Sequence, residues 1–198
     1  MYAIVKDGAI TQTGSSFRQL FPNTSFPANG PNSAFRSENG IMEVVNAEQK
    51  DRAYYWVTQG DITLVDGVAT QGFTNTARAI EDVDAKDPDG NQLYVQVWDK
   101  TASGGEGAMV DTSEKLVTRG LKYTKKAQIK DQANSALTGT DWMVIRKAER
   151  DVDIPAATVT YRAAVMTEYE RLKAAIAGAA DVDALQAVMQ AQNWPEAV

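Results

Sequence analysis

The chain contains neither cysteine nor histidine. Without thiols no disulfide can form. Without thiolate or imidazole ligands the usual zinc sites cannot be built, and Ser-His-Asp and Cys-His nucleophile systems are excluded as well. Any catalysis has to use carboxylates, lysine, tyrosine or a hard metal held by oxygen. Long apolar runs are missing too: no stretch approaches the ~18 consecutive apolar residues of a membrane span. Met1 to Gly8 lacks the basic region and apolar core of a signal peptide, so no leader is expected. Positive charge is scarce, with 20 Lys and Arg against 26 Asp and Glu. That balance argues against a general nucleic-acid binder, which needs clustered cations to neutralise phosphates.

What is present suits a folded chain: 198 residues, 43% hydrophobic, enough for one ordinary domain or two small ones. The first eighty residues read as mostly β. Tyr2–Val5 and Ala9–Gln12 flank Asp7-Gly8, and Ile62–Val65 and Val68–Phe73 flank Asp66-Gly67, both hairpin signatures. Between them, Ser15–Phe21 and Pro31–Glu38 read as short helices, the second stopped by Asn39-Gly40. Residues 41–45 and the aromatic run Tyr54-Tyr55-Trp56-Val57 read as strands. Composition then shifts to an acidic, turn-rich segment with one strand, Leu93–Trp98. Ser103–Gly107 reads as a flexible linker near a domain boundary. From Thr112 the pattern predicts helices, the first interrupted at Gly120. Leu121–Leu137 follows, with Ile129, Ala133 and Leu137 on one face. Thr138-Gly139 is expected to end that helix and Asp141 to cap the next. Pro155 suits the first turn of another, running through Tyr161, Val165, Tyr169, Leu172 and Ile176 to Gly178. Asp181 is expected to cap the last helix.

Four candidate sites stand out. Asp82, Asp84, Asp87 and Asp89 with Gly90 resemble parts of a calcium loop. Lys86 breaks the alternation of ligands and no late Glu stands at the right distance, which favours a solvated turn. Lys115, Arg119, Lys122, Lys126 and Lys130 lie three or four apart and fit one helix face, either solvated or set against an anionic partner. Tyr54, Tyr55 and Trp56 alternate faces on a strand, so at least one is expected to leave the core and serve as a contact surface. Phe73 and Trp98 join that set of interface candidates. Trp142 and Trp194 are expected in the core, where burying an indole stabilises by roughly 2–3 kcal/mol.

Two regions carry a resemblance. One is Thr140-Asp141-Trp142-Met143-Val144-Ile145-Arg146-Lys147, followed by a proline-started helix, an alanine-rich helix pair and Trp194-Pro195-Glu196. The other is Asn23-Thr24-Ser25-Phe26-Pro27, then Ala34-Phe35, Asn39-Gly40-Ile41, Val44-Val45, Gln49-Lys50-Asp51, Leu64-Val65-Asp66-Gly67 and Gln71-Gly72-Phe73. In this order they resemble small bacteriophage tail-fibre-associated and tail-fibre assembly (chaperone-like) proteins, with Asn39 where tyrosine is usual and Phe73 where tryptophan is. Residues 83–137 match no part of that pattern.

The expected fold is therefore α+β: a β-rich module over 1–82, an acidic, glycine-rich connecting segment over 83–112, and a helical module over 113–198. The resemblance implies a non-catalytic tail protein in the virion, made in the host bacterial cytoplasm and attached at tail fibre or baseplate. It implies no cofactor, no nucleic acid and no membrane; the partners are other tail subunits or a second copy. A dissociable assembly chaperone is the alternative. A carboxylate-based hydrolase of host-surface glycans is the more distant one, since no pair among the 26 acids is singled out by spacing.

Overall fold

The computed structural model describes residues 1–197 of this α+β chain, which divides into two compact units, Met1–Ala77 and Arg78–Val198.

In the first unit, β1 (Tyr2–Lys6) and β2 (Ala9–Gly14) pair antiparallel around Asp7-Gly8. Both turn residues have positive φ, as a tight two-residue hairpin requires. After α1 (Phe17–Leu20) and α2 (Ser33–Glu38), β3 (Ile41–Glu43) closes the other edge of β1. The Ser16 and Asn32 side chains accept the Gln19 and Phe35 amides, capping each helix. Ala3, Ile4 and Leu20 are buried. The Asn23–Pro27 stretch contributes Phe26, whose ring meets Phe17, Phe21 and Phe35 edge-on at 5.3–6.1 Å. Its role is packing.

A second sheet joins β4 (Val45–Asn46), β5 (Tyr55–Val65) and β6 (Val68–Ala77), with β4 parallel to β6 and β5 antiparallel to it. The β5–β6 hairpin turns at Asp66-Gly67 and carries an irregularity between Gln59 and Ile62. Gln71 is buried there; its amide donates to the Gly60 carbonyl at 2.5 Å and accepts from Gln59 at 2.8 Å. This side chain supplies bonds that the bulge takes from the ladder.

The second unit begins with β7 (Val83–Asp84), which pairs with β10 (Val117–Thr118). Between them β8 (Tyr94–Asp99) and β9 (Ala108–Lys115) form an antiparallel hairpin. Three helices follow: α3 (Leu121–Arg150), α4 (Ala156–Gly178) and α5 (Val182–Gln190). Ala133, Tyr161 and Val165 form the α3–α4 core, with Ala136, Leu137, Tyr169 and Trp194 packed against it. Leu172, Ile176 and Leu185 are fully enclosed farther along. Each such aliphatic contributes about 1.5–3 kcal/mol.

Several expectations need correction. Residues 113–115 and 117–118 are strand; the helix begins at Leu121. Gly120 is its N-cap and not a kink. It has no side-chain cap, and the segment just before β7 replaces one. Leu121 and Lys122 amides donate to the Ala79 and Ile80 carbonyls, and the Gly120 amide to Asp82. A Cβ at Gly120 would lie 2.3 Å from the Glu81 backbone, so only glycine lets the two segments approach. Thr138-Gly139 does not end α3, and Asp141 lies mid-helix. Gly139 faces open space, so it costs propensity, about 1 kcal/mol, without bending anything. Ser103–Gly107 is the loop of the β8–β9 hairpin and not a linker between domains. Asp181 does cap α5, accepting the Ala184 amide.

Candidate protein–protein interface surfaces

Of the aromatic run Tyr54-Tyr55-Trp56, Tyr54 lies in the turn before β5, and Tyr55 and Trp56 open the strand on opposite faces. The Tyr54 and Tyr55 amides both donate to the Asp51 carbonyl, and both rings are buried. Burial, then the Asp51 charge, raises the Tyr54 phenol above its ordinary value. Lys50 sits over the Tyr55 ring and donates to its hydroxyl at 3.0 Å. Trp56 points the other way and is 62% exposed. It stands opposite Thr76, and the next same-face pair, Thr58 and Thr74, is also exposed. Phe73 is half-buried across from Gln59. Of the candidates in this unit, Trp56 lies at the surface and the two tyrosines are core.

In the second unit the β8–β9 hairpin contains no buried residue. A two-stranded hairpin without a fully buried residue is marginal in water. Trp98 is 60% exposed, yet its place is set: Gly107, at φ 82°, brings its backbone so close under the indole that a Cβ would lie 2.4 Å from the ring. Met109 stands opposite Trp98, and Gln96 donates to Asp111 beside them at 2.9 Å. The Asp99 carboxyl at the hairpin end is held below its ordinary value, mainly by the Thr101 amide and then its hydroxyl. Trp98 is thus a pre-positioned, solvent-facing ring.

The four acids do not converge. Asp82 takes the Gly120 amide and Arg119, which lower its pKa in that order. Asp84 pairs with Lys115 at 2.6 Å. Asp87 accepts the Asn91 side chain and amide and the Asp89 amide, closing its own turn. Among the described residues no three Asp or Glu side chains gather as a metal site, which replaces the calcium reading with a structural one.

The lysine row is not one helix face either. Lys115 lies on β9 and Arg119 precedes α3, where it rests over Tyr123. Lys122 is an internal strut; its side chain donates to the Ala177 carbonyl near the end of α4 at 2.9 Å and to Glu81 at 2.5 Å. Lys126 and Lys130, both on α3, are exposed.

Compared with models of protein families, with characterised proteins and with solved structures, the chain matches none.

One surface went unread in the sequence. Trp142, expected inside, is 52% exposed, and Ile145 beside it is 56% exposed. The cue was a spacing that becomes visible only when α3 is one helix: Thr124, Gln128, Asp131, Ser135, Thr138, Trp142, Ile145 and Glu149 alternate by four and three, and all eight are exposed. Five of the first six are polar or small, so the row never registers as hydrophobic. Trp194 does pack on the α3–α4 core, with its indole N–H donating to Gln192 at 2.9 Å.

Proposed function

We propose that this chain is a non-catalytic structural or assembly protein of a bacteriophage tail, joined to tail-fibre or baseplate subunits by surface burial. The observation that carries the contact role is the β8–β9 hairpin. It presents Trp98, fixed over Gly107, beside Met109, on a face of the hairpin where every residue is exposed. Large exposed aromatics in fixed positions lose little entropy on binding and dominate interface energetics. Trp56 on β5 gives the first unit a comparable anchor. The assignment to a tail rests on the ordered resemblance of Asn23–Phe73 and Asp141–Glu196 to tail-fibre-associated proteins.

Quantitative mass spectrometry of purified particles from the lysing host tests the reading. A stoichiometric copy number in particles supports a virion component. Absence from particles, with the chain recovered on unassembled fibre, assigns the chaperone role. Absence from both rejects the tail reading. Cleavage of host polysaccharide by the purified chain would point to the glycan-hydrolase alternative.

A further inference from the structure

The eight exposed residues along α3 divide into two halves of opposite shape. Toward the N-terminal end, Thr124, Gln128, Asp131 and Ser135 floor an open groove of roughly 870 Å³. Ala127 also lines it, and Tyr123 and Trp194 stand as bulky residues at its edge. Toward the C-terminal end the same stripe carries two projections, Trp142 and Ile145. A helix that bears a hollow and a projection on one stripe is complementary to a copy of itself running the other way.

The geometry points to an isologous antiparallel pairing of α3 with α3 of a second copy. This inference does not depend on the tail assignment. In an antiparallel helix pair, positions of the 4-3 repeat meet in layers whose residue numbers share one sum. For this stripe every layer closes on the same value: Trp142 with Asp131, Ile145 with Gln128, Glu149 with Thr124, and Thr138 with Ser135. Each layer recurs by two-fold symmetry, as a closed dimer requires. Trp142 and Ile145 of one copy then lie over the groove of the other, where the flanking residue Ala127 leaves room.

Charge agrees with this direction. The Arg146 guanidinium, stacked 4.8 Å over the Trp142 ring, arrives at the groove wall that holds Asp131. Glu149 arrives beside Lys125. A parallel pairing would instead set Asp131 against Asp131 and Glu149 against Glu149, which repel. With 30 residues, α3 offers a seam of about 45 Å.

Because the chain has no cysteine, introduced thiols report the pairing cleanly. In sedimentation velocity the full chain is expected at twice 21.5 kDa at micromolar concentration. Trp142→Glu, at an exposed position, is expected to run as a monomer with unchanged helical circular dichroism. Thr124→Cys and Glu149→Cys, mixed and treated with a short bismaleimide, are expected to cross-link to each other. Each alone is expected to cross-link at least tenfold less, because like residues lie about 38 Å apart along the axis. A monomeric wild-type chain at 100 μM overturns the proposal and leaves the stripe to a different partner. So does a dimeric Trp142→Glu variant, or efficient self-linking of Thr124→Cys, which signifies parallel pairing.

Discussion

Glu168 Oε1 accepts the backbone amide of Asn193 at 2.7 Å, fastening the segment after α5 to the middle of α4. The same carboxylate receives both Nε and Nη2 of Arg171 at 2.7 Å, and Arg171 goes on to the Ala191 carbonyl. One nearly enclosed acid therefore holds the approach to Trp194, whose ring packs on the α3–α4 core and edges the α3 groove.

Glu168→Gln is expected to destabilise the second unit by roughly 2 kcal/mol, the usual loss for a charged hydrogen-bonding group. The pH dependence has a definite sign. Arg171, and then the Asn193 amide, hold the Glu168 carboxyl below its ordinary value. A carboxyl with a lowered folded pKa stabilises fully above the unfolded value near 4.3, and the benefit fades as pH falls through the folded value. Urea melts of wild type and variant are expected to differ at pH 7 and to converge as the pH falls below the unfolded value and through the lowered folded one. A gap that stays constant into acid would show that the charge contributes nothing.

Gly120→Ala is expected to cost the second unit roughly 2 kcal/mol or more, at the upper end of overpacking effects because the obstruction is backbone. Its Cβ would lie 2.3 Å from the Glu81 carbonyl group, forcing apart the segments whose three bonds cap α3. Hydrogen exchange at Leu121 and Lys122 is expected to accelerate with the loss of stability. Gly139→Ala is the contrasting control. It faces open space inside α3 and is expected to stabilise by up to about 1 kcal/mol.

These two glycines mark how far the sequence could be read. Turns with a local chemical signature were legible: Asp7-Gly8, Asp66-Gly67 and the Asp181 cap all do what their residue types dictate. Elements set by distant partners were not. Glu114 and Lys115 are good helix formers, yet they lie in β9 because residues 82–94 run alongside and pair with 115–118. Gly139 looked like a helix end, but packing of Ala133, Ala136 and Leu137 against α4 carries α3 through it. The reading of the interface shared this origin. That one ring of Tyr54-Tyr55-Trp56 leaves the core followed from strand alternation, which is local, whereas Trp142 was assigned to the wrong face as long as α3 was split in two.

Arg162 gives a second test of the helical hairpin. Its Nη1 donates to the Leu137 carbonyl, the Thr140 hydroxyl and Asp141 at 2.7–3.1 Å, so the Thr140-Asp141 pair of the sequence motif anchors α4 to α3. Arg162→Ala is expected to cost about 2 kcal/mol by denaturant melts. Arg162→Lys should recover part of the loss, since all three acceptors are met by the single Nη1 and an ammonium, though shorter in reach, also carries three donors. Asp141→Ala, which breaks only a half-exposed ion pair, is expected to cost under about 1 kcal/mol. Equal losses for Arg162→Ala and Asp141→Ala would mean that the ion pair alone holds the contact.

Gly107→Ala separates the pre-positioning of Trp98 from its mere presence. At φ 82° an alanine is strained by about 1–2 kcal/mol, and its methyl would overlap the indole, with the nearest ring atom at 2.4 Å. The ring must therefore leave its seat while the tryptophan remains. If a fixed Trp98 is what makes the hairpin a contact surface, Gly107→Ala should weaken assembly nearly as much as Trp98→Ala. Both variants should leave the unfolding midpoint of the helices within a few degrees, because no residue of β8 or β9 is buried. Co-purification with tail subunits, measured beside thermal melts, makes the comparison. Full assembly by Gly107→Ala alongside failure of Trp98→Ala would show that the indole binds from any orientation, and that its rigid placement over Gly107 is incidental.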